Sequence, residues 1–310
     1  MLLAACGTDV SPELVVGDAA KGGGVPTVLG ADPGAVYWSV GAGTAPKRIA
    51  GSALVDLPGE AQDLGTASGP IAQVADHVLF VMGGTILRAD VVTPASKVAT
   101  VTAEAIGESL DTAPIFVWTE GAVVSWGNGN VMNTATLTKV VRCDHIRVTA
   151  TSIYIAAEGT SERRLLRIDR RTKTVFALSA SSTHAASFPG GGASGATYRG
   201  RLVGADAIGA LWLVEETAAG ATSPARAILV SVPEDGEASV LLEHVTGATG
   251  FFAVGDALYW QERDALLTAP RAGGTASILG TVPGTAGAID SDFVYFVDDS
   301  AIKRLPLDAL

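Results

Sequence analysis

The sequence repeats one short motif, in which a polar or turn residue and one spacer precede a run of apolar residues that usually includes an aromatic side chain. The clearest copies are Asp256-Ala257-Leu258-Tyr259-Trp260 and Asp292-Phe293-Val294-Tyr295-Phe296. The other copies, which match less well, begin at Asp76, Gly34, Thr151, Gly209 and Glu120. Self-similarity of this kind is typical of repeat architectures, in which each copy belongs to one supersecondary unit. The sequence therefore predicts seven similar units.

The segments around these copies favour short β-strands. The chain has 37 glycines and 14 prolines, and these separate apolar runs rich in Val, Ile and Thr. The nearest helical candidate, 101–110, is short and contains Gly107, so we expect a turn or loop there. The sequence therefore predicts an all-β fold with very little helix.

The spacing of the motif indicates the architecture. Its copies begin on average about 43 residues apart, and periods of roughly 40 to 50 residues built from short strands are typical of β-propeller blades with four antiparallel strands each. We predict a seven-bladed β-propeller, with six or eight blades as alternatives. The motif would form the second strand of each blade, because that strand packs against neighbouring blades on both faces.

The last unit ends after its third strand, so another segment must supply the fourth. Glu13-Leu14-Val15-Val16 has a suitable composition, and its pairing with the last blade would close the ring and remove an exposed edge. We therefore predict that 12–310 form a single propeller domain, preceded by a lipobox and linker at 1–11. A Gly- and Ser-rich insertion near 179–197 is expected to be mobile.

The first residues, Leu3-Ala4-Ala5-Cys6-Gly7, resemble the lipobox of bacterial lipoproteins, in which the chain is cut before the cysteine and the thiol is alkylated by diacylglycerol. The resemblance implies that Cys6 is the site of lipid attachment and that the protein lies at the bacterial cell envelope, either periplasmic or surface-exposed. A signal peptide also needs a basic region and an apolar stretch of about 7 to 15 residues. We therefore expect the natural chain to begin upstream of Met1.

The charge of the chain disfavours several partners. The 32 acidic and 21 basic residues give a net charge of −11, which opposes binding to nucleic acid and to anionic lipid headgroups. The mean hydropathy is positive, but no apolar run reaches the roughly 18 residues of a membrane-spanning helix. We expect a monomer with no nucleic-acid partner and with membrane attachment only through a lipid anchor.

The cysteines and histidines give little support to a catalytic interpretation. With Cys6 lipidated, Cys143 would have no disulfide partner. His145 is two positions on, so simple strand alternation would place it on the same side as Cys143, as an activated thiol would require. We nevertheless expect Cys143 to be a buried structural thiol. A ring of metal ligands in a propeller should recur at one position of the repeat. The four histidines, His77, His145, His184 and His244, do not. We therefore predict no catalytic residue and no cofactor, leaving a divalent cation open and its ligands unknown.

Acidic residues collect in the connections between the second and third strands of the last four units, a face on which propellers commonly bind ligands. They are Glu158, Glu215, Glu216, Glu262, Asp264, Asp298 and Asp299. A concave rim of like charges would focus the potential toward a cation or a basic ligand, so we predict these residues as ligand-face candidates. The alternative is that they are charged side chains of solvated turns.

The segments Val36-Tyr37-Trp38, Leu258-Tyr259-Trp260 and Ala269-Pro270-Arg271-Ala272-Gly273-Gly274 resemble the repeats of secreted bacterial propellers akin to the YWTD and NHL classes. The resemblance extends from about Thr27 to the end of the chain. Such families include binding and scaffold modules as well as lactonase-like and streptogramin-lyase-like enzymes, and the fold does not select among them.

We favour an exported binding or scaffold module, for an unidentified protein or small-molecule ligand. The alternative is a metal-dependent propeller hydrolase or lyase. A third interpretation is a repeat protein without a small-molecule site, whose flat face binds another protein.

Overall fold

The computed structural model describes residues 11–21, 23–43, 45–74, 76–109, 115–128, 132–206, 208–234 and 237–310. Within these ranges, 28 β-strands form seven antiparallel sheets of four strands each. The first strands of all seven sheets line a common channel. The protein is therefore a seven-bladed β-propeller, as the sequence predicted.

The first three blades occupy 26–136. Blade 1 contains β2 (Pro26–Ala31), β3 (Ala35–Val40), β4 (Lys47–Ala53) and β5 (Gln62–Ala67). Blade 2 contains β6 (Ile71–Val74), β7 (His77–Met82), β8 (Thr85–Ala89) and β9 (Ser96–Thr100). Blade 3 contains β10 (Ala105–Glu108), β11 (Phe116–Glu120), β12 (Val123–Gly127) and β13 (Met132–Thr136).

The other four blades complete the ring. Blade 4 contains β14 (Val140–Val148), β15 (Ser152–Gly159), β16 (Arg163–Asp169) and β17 (Val175–Ala180). Blade 5 contains β18 (Thr197–Ala205), β19 (Gly209–Thr217), β20 (Arg226–Pro233) and β21 (Ser239–Leu242). Blade 6 contains β22 (Ala248–Val254), β23 (Ala257–Glu262), β24 (Ala265–Pro270) and β25 (Ser277–Thr281). Blade 7 contains β26 (Thr285–Ile289), β27 (Phe293–Asp298), β28 (Ala301–Pro306) and, from the start of the chain, β1 (Glu13–Val16). Two short 3₁₀-helices, Ser181–Ser187 and Leu307–Ala309, are the helical segments among the described residues.

The hydrophobic core is divided among the seams between blades. Seven clusters of buried side chains each join one blade to the next. The second strands contribute most to them: all six residues of β3 are buried, and Trp38, Trp212 and Trp260 are at most 1% exposed. This placement explains why the repeat motif carries large apolar residues, because its strand must fill the space on both sides of the blade.

Two sequence-based assignments in blade 3 were wrong. The motif copy at Glu120 does not form a second strand. It spans the turn into β12, the third strand, and the second strand is β11, whose buried Val117 and Trp118 take the equivalent place. The loop expected at 101–110 contains the inner strand β10, and all four of its residues are buried. Gly107 suits this strand because a Cβ there would lie 3.2 Å from Ile146 of the next blade.

The predicted closure by the amino-terminal segment is confirmed. Strand β1 pairs antiparallel with β28, with Glu13 opposite Arg304 and Val16 opposite Ile302. Arg304 Nε also donates to Glu13 Oε2 at 2.7 Å. Val15 is fully buried in the cluster that joins blade 7 to blade 1. The strand therefore closes the ring by both hydrogen bonding and packing.

The insertion near 179–197 forms the 3₁₀-helix Ser181–Ser187 and a return segment packed against blade 5. Phe188 is 2% exposed and lies 5.9 Å from the ring of Tyr198. Arg226 donates to the carbonyl oxygens of Pro189 and Gly191 at 2.8 and 2.9 Å. These contacts fix where the insertion lies, and its mobility stays a prediction.

The ring has two faces, which we name by their connections. The upper face carries the turns between second and third strands and the starts of the inner strands; for example, Val140 at the start of β14 pairs with Gly159 at the end of β15. The lower face carries the turns between first and second strands. The seven acidic residues predicted as ligand-face candidates therefore lie at or near the upper face.

Candidate ligand-binding site

The central channel is a cavity of about 570 Å³ bounded by the first strands of all seven blades. Most of its lining is small or apolar. Its charged and polar side chains are Gln73, Glu108, Asp144, His145 and Arg147. Ligand pockets are commonly apolar cavities of roughly 300 to 1,000 Å³ with a few polar groups that orient the ligand, and the channel fits this description.

A second cavity of about 270 Å³ lies beside the channel on the upper side of blades 4 and 5. Its lining is almost entirely charged: Arg142, Asp144, His145, Arg163, Arg199 and Arg201. Asp144 and His145 line both cavities, so the smaller one adjoins the channel. We call it the arginine cavity.

An irregularity in β14 aims its side chains into the two cavities. Cys143 pairs with Ala157 and His145 with Ala156, which leaves Asp144 as an extra residue in the strand. An extra residue of this kind re-aims the side chains that follow it. Cys143 accordingly packs in the core between blades 3 and 4, whereas His145 lines the channel. The same-side placement of Cys143 and His145 expected from simple alternation was therefore wrong.

Cys143 is a buried free thiol, as predicted. Its Sγ lies 3.5 Å from the carbonyl oxygen of Gly121. Burial, together with the nearby Glu104 and Asp144 carboxylates, raises its pKa to about 12. The thiol therefore stays protonated near neutral pH and is poorly suited to nucleophilic chemistry.

The arginine cavity holds more positive than negative charge. Arg142 contacts Asp144 at 3.3 Å and Glu158 at 3.1 Å, and Arg163 is ion-paired with Asp144. For Arg199 and Arg201, the described residues provide no side-chain hydrogen bond or ion pair. The buried Nε atoms of Arg163 and Arg201 also have no hydrogen-bond partner. Asp144 and Glu158 are thus ion-paired with Arg142 and Arg163, and Glu215 lies opposite Arg199 in the β18–β19 ladder without an ion pair.

The sequence around Arg199 and Arg201 explains why both point the same way. They are two positions apart on β18, so they share one face of the strand. Gly200 lies between them, and a Cβ there would lie 1.9 Å from the indole ring of Trp212. The core therefore requires a glycine at 200, while the two arginines are turned to the opposite side.

His145 has an electropositive environment. Burial lowers its pKa from the ordinary 6.5, and the Arg147, Arg163 and Arg201 guanidinium groups lower it further, against a smaller opposite effect of Asp144. The imidazole is therefore neutral near pH 7. Desolvation also lowers the pKa of Arg147, which lies on the same strand.

The seven predicted acidic residues do not line either cavity. Three have basic partners: Glu158 contacts Arg142, Glu216 contacts Arg226, and Asp298 accepts from Lys303 Nζ at 2.6 Å. Glu262 accepts from Trp260 Nε1 at 2.9 Å. Glu215 is half-buried, and Asp264 and Asp299 are exposed in turns. These residues belong to four different blades, and their role in ligand binding stays a prediction.

The other predicted features of the site have the following places. His184 Nε2 lies 2.6 Å from Ser179 Oγ in the insertion, and the His244 side chain is 74% exposed.

Among the described residues, no group of three or more His, Cys, Asp or Glu side chains could hold a metal ion. Cys6 lies outside the described residues, so its lipid attachment stays a prediction. Within those residues, no helix is long and apolar enough to cross a membrane.

A histidine–glutamate contact joins blades 2 and 3 beside the channel. His77 Nε2 lies 2.6 Å from Glu108 Oε2, and both residues are buried. His77 Nδ1 lies 2.9 Å from Asp76 Oδ1 and 3.2 Å from Arg88 Nη2. Burial by itself lowers the pKa of His77, but the contacts with Glu108 and Asp76 outweigh burial and the Arg88 charge, so the pKa is raised above 6.5.

A raised histidine pKa predicts a specific pH dependence of stability. The contribution of His77 is complete below the unfolded-state pKa of about 6.5 and is lost as the pH rises through the folded-state pKa. We therefore expect His77→Gln to destabilise the protein more at about pH 6 than at about pH 9, measured by urea unfolding. His244→Gln is the control, and the same loss from His77→Gln at both pH values would contradict the prediction.

The sequence matches no protein-family model and no curated protein sequence. Solved structures are similar in fold. One is the extracellular domain of a proposed hybrid two component system from B. thetaiotaomicron, with 12% identity over 97% of this chain and 43% of that chain and a TM-score of 0.60. A protein from Lactobacillus plantarum has 13% identity over 90% and 88% of the two chains, with a TM-score of 0.56. BamB from Moraxella catarrhalis has 11% identity over 89% and 84%, with a TM-score of 0.50. At these identities the likeness establishes the propeller fold.

Proposed function

We propose that this protein is an exported, lipid-anchored β-propeller that acts as a binding module at the bacterial cell envelope and holds its ligand in the central channel. The observation that carries this proposal is the channel itself, a cavity of about 570 Å³ with few polar side chains and a charged second cavity beside it. A small or apolar lining with a few orienting polar groups suits binding. The resemblance of residues 3–7 to a lipobox supports export. One solved structure of similar fold is also an extracellular domain.

The ligand part of the proposal is tested by filling the channel. Ala253 lines the channel and is accessible within it, whereas Ala238 is exposed on a connection outside it. The wild type, Ala253→Trp and Ala238→Trp are each incubated with a small-molecule extract of the bacterial envelope, and retained compounds are identified by mass spectrometry. We expect a compound retained by the wild type and by Ala238→Trp but lost from Ala253→Trp. Retention of none, or equal retention by all three, would contradict channel binding.

The anchor part is tested with the gene and its natural upstream region, expressed in a bacterial host that is fed an alkyne-labelled fatty acid. We expect the label in the wild type and in Cys143→Ala, and none in Cys6→Ser, because the two substitutions each remove one of the two thiols of the chain. Label retained by Cys6→Ser would overturn the lipid-anchor assignment while leaving the channel result unaffected.

A further inference from the structure

We infer that the arginine cavity is an anion-binding site that takes a carboxylate or phosphate-type oxyanion with two negative charges, either as a small free anion or as the anionic group of a larger ligand. The inference rests on the proposed function, because it names the chemistry of a ligand bound at the channel. It differs from the sequence-based expectation of a cationic or basic ligand, which rested on the acidic turns alone.

The first argument is charge. The whole chain carries a net charge of −11, yet this cavity brings four guanidinium groups together with one carboxylate in its lining and one more, Glu158, at its edge. Arg199 and Arg201 have no ion-pair partner among the described residues, and clustered guanidinium groups repel one another unless negative charge offsets them. A bound oxyanion would supply that negative charge.

The second argument is geometry. The planar guanidinium group presents parallel N–H donors that match the two oxygens of a carboxylate or phosphate. Asp144 holds Arg163 in place, and Arg199 and Arg201 leave the same face of β18 because they are two positions apart. Arg163 is therefore held in position before the ligand arrives, which reduces the conformational entropy lost on binding.

The third argument is size. A volume of about 270 Å³ is just below the range of roughly 300 to 1,000 Å³ that is typical of pockets for drug-sized ligands. The arginine cavity can therefore hold a small anion, or one anionic end of a ligand whose remainder lies in the channel. Asp144 and His145, which line both cavities, mark the place where the two parts would meet.

His145 couples this site to protons. The charged groups around it are Asp144 and Arg147 on its own strand, Arg163 on β16 and Arg201 on β18. Arg142 and Arg199 complete the cavity, and Glu108 of β10 lines the adjoining channel. An anion beside the imidazole offsets the arginine charges, so the pKa of His145 rises on binding and a proton is taken up. Affinity should therefore increase as the pH falls toward and below 6.5.

The test measures binding of defined anions by isothermal titration calorimetry. Sulfate and malonate are the dianionic probes, acetate is the single-charge comparison, and a uronic-acid oligosaccharide tests whether the anion belongs to a larger ligand. The variants are Arg199→Gln and Arg201→Gln. Arg171→Gln is the matched control, since Arg171 is exposed and lies outside the arginine cavity.

We expect saturable binding of sulfate and malonate, weaker binding of acetate, and about tenfold or greater loss of affinity in each cavity variant but not in Arg171→Gln. Sulfate keeps its charge between about pH 5 and 8, so any change in its affinity over this range comes from the protein. We expect sulfate to bind more tightly at the lower pH, and we expect His145→Gln to abolish this pH dependence. Tighter binding of the oligosaccharide than of malonate would identify the larger ligand as the source of the anion.

The inference is overturned if neither dianion binds saturably, if Arg171→Gln weakens binding as much as the cavity variants do, or if the cavity variants bind normally. These outcomes are separable from failure of the proposed function. If neither dianion binds but a neutral compound is retained by the wild type and lost from Ala253→Trp, the channel-binding proposal holds and the anion site is excluded. Thermal unfolding of each variant without anion confirms that a loss of binding is not a loss of fold.

Discussion

Replacing Glu216 with alanine will lower the free energy of unfolding by about 3 kcal/mol, whereas the same change at Glu215 will have little effect. Glu216 is 1% exposed and accepts from Arg226 Nε and Nη2, both at 2.8 Å. It also accepts from the Tyr198 hydroxyl and the Ala193 backbone N–H, each at 3.1 Å. Its loss leaves Arg226 without a carboxylate and releases the insertion from blade 5. The value is at the low end for a broken buried pair because the Arg226 side chain is 30% exposed.

Urea unfolding measures this difference, with a lower midpoint and an unchanged slope expected for Glu216→Ala. The neighbouring Glu215→Ala removes the same charge from a half-buried position on the same strand. Burial raises the pKa of Glu216, but its hydrogen bonds outweigh burial and lower the pKa below 4.5. Its contribution is therefore complete above about pH 4.5 and is lost as the pH falls through the lowered pKa. Equal destabilisation by the two substitutions would show that Glu216 is not the anchor of the insertion.

Replacing Val15 with aspartate will open the ring. Val15 is fully buried against side chains of blades 7 and 1, and a carboxylate there has no basic partner in that apolar cluster. Burying the aspartate carboxylate costs several kilocalories per mole in lost hydration. This cost exceeds the stabilisation that the short strand β1 gains by pairing with β28. We expect a loss of about 4 kcal/mol in unfolding free energy. Detachment of β1 also exposes the edge of β28, so self-association should follow.

Leu14→Asp is the matched control, because Leu14 is adjacent on the same strand and is 37% exposed. Unfolding is measured with urea and self-association by light scattering after size-exclusion chromatography. A Val15→Asp variant that stays monomeric and as stable as Leu14→Asp would show that the ring does not depend on β1 for its closure.

Much of the fold was predictable because propeller blades repeat a strong local pattern. The buried second strands, the short turns and the closing strand β1 each left a signal in the sequence. Blade 3 was the exception. Its inner strand β10 has only four residues and includes Gly107, and such a strand lacks the alternation that usually reveals one. The motif copy at Glu120 misled because β12 carries an apolar run of its own.

The candidate site was less predictable, because its charges come from separate strands. Arg142, Arg163 and Arg199 lie on β14, β16 and β18, and only the folded ring brings them together. The acidic turns stood out in the sequence, but the basic partners of Glu158, Glu216 and Asp298 lie on neighbouring strands and form no local pattern with them. One signal was present: Arg199 and Arg201 alternate on an inner strand, where one face must border the channel. The extra residue at Asp144, which redirects His145, left no sequence signal that we can identify.

The position of strand β1 also determines how a lipid-anchored propeller would be oriented relative to a membrane. Glu13 pairs near the lower end of β28 and Val16 near its upper end, so the chain enters the propeller from the lower face. With the proposed lipid on Cys6, six residues lie between the anchor and β1, which an extended chain spans over at most about 25 Å. The lower face would then turn toward the bilayer, and the arginine cavity would open away from it. The guanidinium groups would thus meet ligands arriving from outside the membrane rather than the phosphates of lipid headgroups.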